Sequence, residues 1–376
     1  MKISADYVVV GSGLTGATIA RMLHDAGREV VVIDRRSKVG GNVVDHTHES
    51  GVIVHTYGPH HFRTNQQRIW EFATRFAEFY RFDWWVMSLL PDQSFEHWPV
   101  TASYIEKRFG VDWKPERSGP AANFEEAALR MMPRAIYEEF VKGYTEKQWG
   151  VPAESLAANL AGRFVVNPTG EIRLKTHPYQ GLPVDGYSKW MERMLAGVPV
   201  LLSTDYLEVR GDVEAKRVTV YTGPIDALFG YDQGRLMYRS QYREHRWVDS
   251  GSVGFEQPAP AVNFPTPEVP FVRQIEWKRM MHPTYAHGAF DDRVEGSIRG
   301  TLLTTETPYM PEKEDDYEYP FPSDQERAKA EGYRKRALMF DKFVPVGRLA
   351  EYKYFDMDQA IGHAMLLGDR LLGRER

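Results

Sequence analysis

Tyr7 to Val10 form an unbroken apolar run near the start of the chain. A strand buried on both faces reads this way, because a parallel sheet is covered on each side. Ile19, Met22 and Leu23 then recur at helical spacing until Gly27 ends the pattern, and Glu29 to Ile33 supply a second strand. The three segments predict a βαβ unit. "GVIVHTYG" reads as a further short strand. In "NQQRIWEFATRFAEFY", Ile69, Phe72, Phe76 and Phe79 fall on one helical stripe, with Asn65 as the expected cap. From about Trp84 to Trp149 the pattern is mostly helical, and Asn123 with Glu126 three residues on forms a capping-box pattern. Pro168, Gly170, Pro178 and Gly181 predict a loop between Arg163 and Pro183. Strand alternation returns at "VPVLLST", "RVTVYTG", "FVRQIEW" and "SIRGTLLTTE". The segment 311–325 reads as a loop, and a helix is expected from about Gln325 to Met339. Helix-rich and strand-rich blocks thus interrupt an α/β frame, which predicts a discontinuous nucleotide-binding domain with two insertions.

Composition narrows the function classes. A chain of 376 residues, 42% apolar, can hold two or three domains around a substantial core. No run of eighteen apolar residues occurs and no signal-peptide pattern follows Met1, so a cytoplasmic protein without a transmembrane segment is expected. The absence of cysteine excludes disulfides, a thiolate nucleophile and a Cys-based metal site. Net charge is −5, from 47 basic and 52 acidic residues, so there is no electrostatic footprint for nucleic acid. Histidines are scattered without an HExxH pattern, and no metal is assigned.

Gly11, Gly13 and Gly16 form G-x-G-x-x-G after a strand and at the opening of a helix. The first glycine permits a tight turn, the second a close approach to a pyrophosphate, and the third close helix–strand packing. Asp34 ends the second strand, where a carboxylate can accept from ribose hydroxyls. Gly40 and Gly41 follow in "DRRSKVGGN", and a second glycine pair at that distance resembles the extended fingerprint of FAD proteins. No acid/base constellation stands out, so a cofactor is expected to supply most of the chemistry.

"GSGLTGA", "IDRR", "GGN", "YTEKQWG", "YQGLPVDGY", "VTVYTGPID", "YRS" and "GRLAEYKYFDM" together resemble the UDP-galactopyranose mutase family over nearly the whole chain. The resemblance implies a mixed α/β fold: a discontinuous Rossmann-like FAD-binding domain with an inserted helical bundle and an inserted antiparallel sheet domain. On that pattern the FAD domain takes residues 1–83, 181–231 and 322–376, and the helical domain 84–149. The sheet domain takes 150–180 and 232–321, with a mobile lid at about 163–178. FAD contacts implied by the motifs are Gly11, Gly13, Gly16, Asp34, Arg35, Gly41, Asn42, Gly347, Arg348, Asp356 and Met357. For the substrate, Phe140, Tyr144 and Thr145 would hold the nucleotide, while His60, Trp149 and Asn263 would stand near the sugar. Tyr319 and Tyr354 would reach the diphosphate, with Arg163 and Arg273 as its catalytic grips.

The chemistry so implied interconverts UDP-galactopyranose and UDP-galactofuranose without net redox change. Reduced FAD would act through N5 as nucleophile on the anomeric carbon, so an external reductant, NAD(P)H or a reductase, is an expected partner. A homodimer is expected on the same resemblance. Two rival readings share the N-terminal fingerprint: an amine-oxidase-type flavin oxidoreductase, and a binding protein that has lost FAD. Three departures bear on the sugar. "YGPHHFRTN" carries Arg63 where the family has histidine, "RFDW" carries Trp84 where a small polar residue is usual, and Leu174 replaces a lid tyrosine. Packing alone would have Arg63 pair with Asp83 and Trp84 face outward. A reshaped pocket would instead take dTDP-fucose or UDP-N-acetylgalactosamine.

Overall fold

The structure, a computed structural model, describes residues 2–374 except 165, 175, 250–253 and 283–297, with Arg163 described by its backbone alone. Ile3–Val10, the first apolar run, is the central strand of a five-stranded parallel sheet. Its order runs Val200–Leu201, Val30–Ile33, Ile3–Val10, Val213–Tyr221, Phe343–Pro345. Helix Leu14–Asp25 joins the first two strands of the βαβ unit and packs against the helix Met357–Leu371. Val8, Val9, Val32 and Ile33 are fully buried, as a sheet covered on both faces requires.

A seven-stranded sheet forms the second body, in the order Tyr319–Pro320, Tyr238–Val248, Thr301–Tyr309, Arg273–Glu276, Ala261–Asn263, Val86–Leu89, Phe95–Trp98. Every neighbouring pair is antiparallel except Ala261–Asn263 with Val86–Leu89. The last two strands correct the sequence expectation. Residues 84–98 read as helical in pattern, but Val86 and Ser88 are buried while Met87 and Leu89 are half-buried, an alternation of period two. Helix begins only at Ala102–Phe109, where the Thr101 side chain accepts from the Tyr104 amide.

The stripe at 65–80 is also shorter than its pattern. The helix is Gln67–Thr74, with Gln66 rather than Asn65 at its cap. Phe79 and Tyr80 instead pair with Pro183 and Leu182, in a three-stranded sheet that includes Phe62–Thr64. Tertiary packing decides this: Phe79 closes an aromatic cluster with Phe62, Trp70 and Trp190. Asn123 caps Phe124–Leu129 as expected, accepting from the Glu126 amide, whereas the Glu126 carboxylate takes the Ala122 amide. Among the described residues no helix is long and apolar enough to cross a membrane.

Candidate active site

Ligands of open α/β sheets bind beyond the carboxyl ends of the strands, and here two cavities meet at that edge. The first, of about 210 Å³, is lined by the loops after Val10 and Ile33, by 204–207 and by Gly347. The second, of about 440 Å³, lies between the first and the seven-stranded sheet's residues Asn263, Arg273 and Tyr319. Asn42, His60, Arg348 and Met357 stand in both walls, so the two spaces join.

Bare backbone shapes the first cavity. Gly11 has φ 99°, and a Cβ there would sit 2.1 Å from the Thr222 Oγ1. A Cβ on Gly16 would lie 2.0 Å from the Gly11 carbonyl, and one on Gly41 2.9 Å from the Gly13 Cα. The two glycine loops therefore touch, and no side chain caps the helix that follows Gly13. Uncapped N–H groups at a helix N-terminus, with nothing bulky before them, make a cradle for a pyrophosphate. Asp34 is buried, and its Oδ2 accepts from the Ser12 amide at 2.6 Å and the Ser12 hydroxyl at 2.5 Å. These bonds aim the carboxylate along the cavity wall, where its remaining lone pairs can take ribose hydroxyls. The donor set fits an FAD.

Most expected cofactor residues reach this cavity: Gly11, Gly13, Gly16, Asp34, Arg35, Gly41, Asn42, Gly347, Arg348 and Met357. Asp356 does not. It caps Met357–Leu371, accepts from the Tyr354 hydroxyl at 3.0 Å, and lines the larger cavity instead. Arg63 pairs with this Asp356 at 3.1 Å and not with Asp83, which Arg81 holds at 2.8 Å.

The larger cavity gathers the aromatic motif. Residues Glu138–Lys142 wind as a π-helical turn before the helix Gly143–Trp149. Phe140, Tyr144, Gln148 and Trp149 all reach the wall. Thr145 corrects the expectation: it is 1% exposed, faces the interior and is absent from that wall. Lys147 performs a different task. Its Nζ donates to the carbonyls of Phe264, Thr266, Val269 and Phe271 at 2.6–3.1 Å. Burial pushes this ammonium down to about 8. That loop joins the strand ending at Asn263 to the one beginning at Arg273, so one side chain of the motif ties both residues to Tyr144 and Trp149.

Arg273 donates to Glu306 from Nε at 2.8 Å and also from Nη2. Glu306 is wholly buried; burial would raise its carboxyl, but Arg273 and Arg243 outweigh that and hold it below the ordinary range. Arg243 continues the chain to Glu318 with bonds of 2.8 and 2.9 Å. Tyr319 and Tyr354 stack with ring centroids 5.9 Å apart. Burial raises the Tyr319 hydroxyl well above its usual value, so it remains a donor. Burial pushes His60 down to about 3, leaving a neutral ring between the two cavities. Asn263 is buried on the same wall. Arg163 ends the turn Ala158–Arg163, and its side chain lies outside the described residues.

Trp84 does not face outward. It is 5% exposed, stacks near His61 with centroids 6.5 Å apart, and lines the cavity with Arg63 and Leu174. Sequence reasoning missed Gln241, Trp98 and Glu318 on the wall, and the buried Glu306 behind it. Only Gln241 carried a signal, through its place after the "YRS" motif.

Residues 139–354 match the family model described as UDP-galactopyranose mutase, and 9–76 match an NAD(P)-binding Rossmann-like domain. A probable UDP-galactopyranose mutase from Klebsiella pneumoniae is 30% identical, over 98% of this chain and 94% of that one. The chain belongs to the UDP-galactopyranose mutase family. It is accordingly an isomerase built on a Rossmann-type, flavin-binding frame. A dTDP-fucopyranose mutase from Escherichia coli is 27% identical over 95% of this chain and 96% of that one. The crystal structure of a reduced UDP-galactopyranose mutase superposes with TM-score 0.68 at 16% identity, covering 99% of this chain and 94% of that one. Human flavin-containing amine oxidase B, by contrast, matches over 41 residues, 11% of this chain.

Proposed function

We propose that this mutase interconverts UDP-galactopyranose and UDP-galactofuranose, with reduced FAD in the glycine-lined cavity and the nucleotide sugar in the larger one. The single observation behind this reading is the junction of the two cavities at Asn42, His60, Arg348 and Met357, beside Trp149 and Arg273. When bound and reduced, the flavin supplies a nucleophilic ring nitrogen to the anomeric carbon, a role for which the chain has no cysteine.

The residues of the chain do the rest. Phe140 and Tyr144 offer the uracil an aromatic wall. Arg273, locked along one edge by Glu306, presents its other edge to the diphosphate and holds UDP while its bond to the sugar is broken. Tyr319 adds a hydroxyl donor to the same oxygens, and Tyr354 adds a second once it turns from Asp356. Arg163, on a segment whose Leu174 amide bonds the Trp84 carbonyl at 2.7 Å, would close from the opposite side. His60 stays neutral and adds no charge near the departing diphosphate. Because the sugar leaves with the same oxidation state, an outside reductant is needed only to prime the flavin.

The test is turnover of UDP-galactose by oxidised and dithionite-reduced protein, with the two ring forms separated by chromatography. Turnover after reduction alone is expected. Equal rates in both states would sink the proposal. A second reading, the same chemistry on dTDP-fucose or UDP-N-acetylgalactosamine, draws support from the buried indole of Trp84 on the wall of the larger cavity. An indole leaves sugar hydroxyls unpaired and so favours a less polar sugar. Side-by-side kcat/KM values decide between them: a preference above about tenfold, 1.4 kcal/mol at the transition state, for either alternative replaces UDP-galactose.

A further inference from the structure

The segment between the strands Thr301–Tyr309 and Tyr319–Pro320 leaves the seven-stranded sheet and crosses to the mouth of the glycine-lined cavity. There it lays Glu314 and Asp315 against Arg35 and Arg36, the two cations that follow Asp34. Arg35 reaches Glu314 at 2.6 Å and Asp315 at 2.9 Å. Arg36 reaches the Asp315 carboxylate at 3.2 Å and its carbonyl at 2.8 Å. Asn42 adds a bond from Nδ2 to the Tyr317 carbonyl at 2.9 Å, and the Tyr231 hydroxyl donates to Glu314. The Arg36 guanidinium also lies 4.9 Å above the Tyr57 ring.

Two features separate this cluster from ordinary surface pairs, each of which is worth little alone. Arg36 and Glu314 are only 20% and 18% exposed, and Asp315 and Arg35 link them into one network. Glu314 also lines the cavity itself, as do Asp34 and residues 204–207. Arg35 and Asn42, expected to hold the cofactor directly, therefore spend much of their bonding capacity on this strap. We propose that residues 314–317 form an ionic latch over the adenosine end of the cavity, which must open for FAD to enter or leave. The proposal rests on the flavin reading of that cavity. A latch held by partly exposed charges weakens as salt screens them, so cofactor release is salt-dependent.

The experiment uses flavin-loaded protein and follows the fluorescence of released FAD at about 0.05 M and about 0.5 M sodium chloride. The expected result is faster release from the wild type at high salt. Glu314→Gln with Asp315→Asn should release FAD about fivefold faster than wild type at low salt, as loss of about 1 kcal/mol implies, and show little further salt effect. Asp315→Asn alone, at a side chain 58% exposed, separates the latch from any folding defect and should give an intermediate rate. Identical release rates for all three proteins at both salts would overturn the latch. A wild type that takes up no flavin would overturn the cofactor reading and the latch with it.

Discussion

Arg273 shows how much of a site lies in one side chain's orientation. Its Nε and Nη2 are committed to Glu306, a carboxylate with no exposure to water. Arg273→Ala should raise the barrier by about 2–5 kcal/mol, as loss of one partner of a buried charge pair does, while flavin absorbance is retained. Glu306→Gln keeps the shape and removes the charge that aims the guanidinium. It should lower kcat/KM by about 10- to 100-fold, since small displacements at a reacting centre cost that much. An unchanged kcat/KM in Glu306→Gln, with the flavin in place, would show that Arg273 is held without it. Arg273 was legible in its motif. Glu306 was not, because a carboxylate in a strand announces nothing until the fold lays it opposite two guanidiniums.

At the scale of the element, Lys147 is the clearest case. A lysine in "YTEKQWG" reads as a solvated charge beside two aromatics, yet its ammonium organises the whole loop from Phe264 to Phe271. Lys147→Met leaves four carbonyls without this donor, and we expect a raised KM and easier proteolysis within 264–271. The sign with pH follows from burial. The folded lysine releases its proton near 8, below its usual 10.5, so over that window the unfolded chain binds more protons and folding stability rises with pH. The stability of wild type relative to Lys147→Met should therefore increase between those values, measured by denaturant titration. The reverse slope would mean that the four carbonyls, not burial, set the proton affinity. Val86–Leu89 and Phe79–Tyr80 are strands because partners distant in sequence, Ala261–Asn263 and Leu182–Pro183, pair with them, and Phe95–Trp98 then adds to Val86–Leu89 at the sheet edge.

On the scale of the whole molecule, one buried and two half-buried histidines link folding to acid. His55, His60 and His61 are each pushed down to about 3 by burial, against a usual value of 6.5. The unfolded chain takes up their protons first as pH falls, so stability is lost from about 6.5 downward. Each contributes a slope approaching 1.4 kcal/mol per pH unit, roughly, where only the unfolded form is protonated. His61→Gln should flatten the acid limb of the stability profile, and an unaltered limb would show that His61 is solvated. His60 lines both cavities, His61 lines the larger one, and His55 packs against His60 with ring centroids 6.0 Å apart. Acid should therefore loosen the site before it unfolds the rest.

The sequence by itself determined the βαβ unit, the glycine cradle, the aromatic motif and the family, because each is written in local spacing or in short contiguous motifs. Gly11, Gly13, Gly16, Tyr144, Trp149 and Arg273 were all readable in this way. Only the tertiary structure decided which side of a motif faces a cavity. Thr145 turned inward, Asp356 turned toward the larger cavity, Arg63 chose Asp356 over Asp83, and Trp84 came to the cavity wall. Each outcome depends on which partner, tens or hundreds of residues away, can satisfy a charge or bury a ring. Local spacing fixes the direction of a side chain relative to its own backbone, while burial and charge pairing are settled by what folds against it.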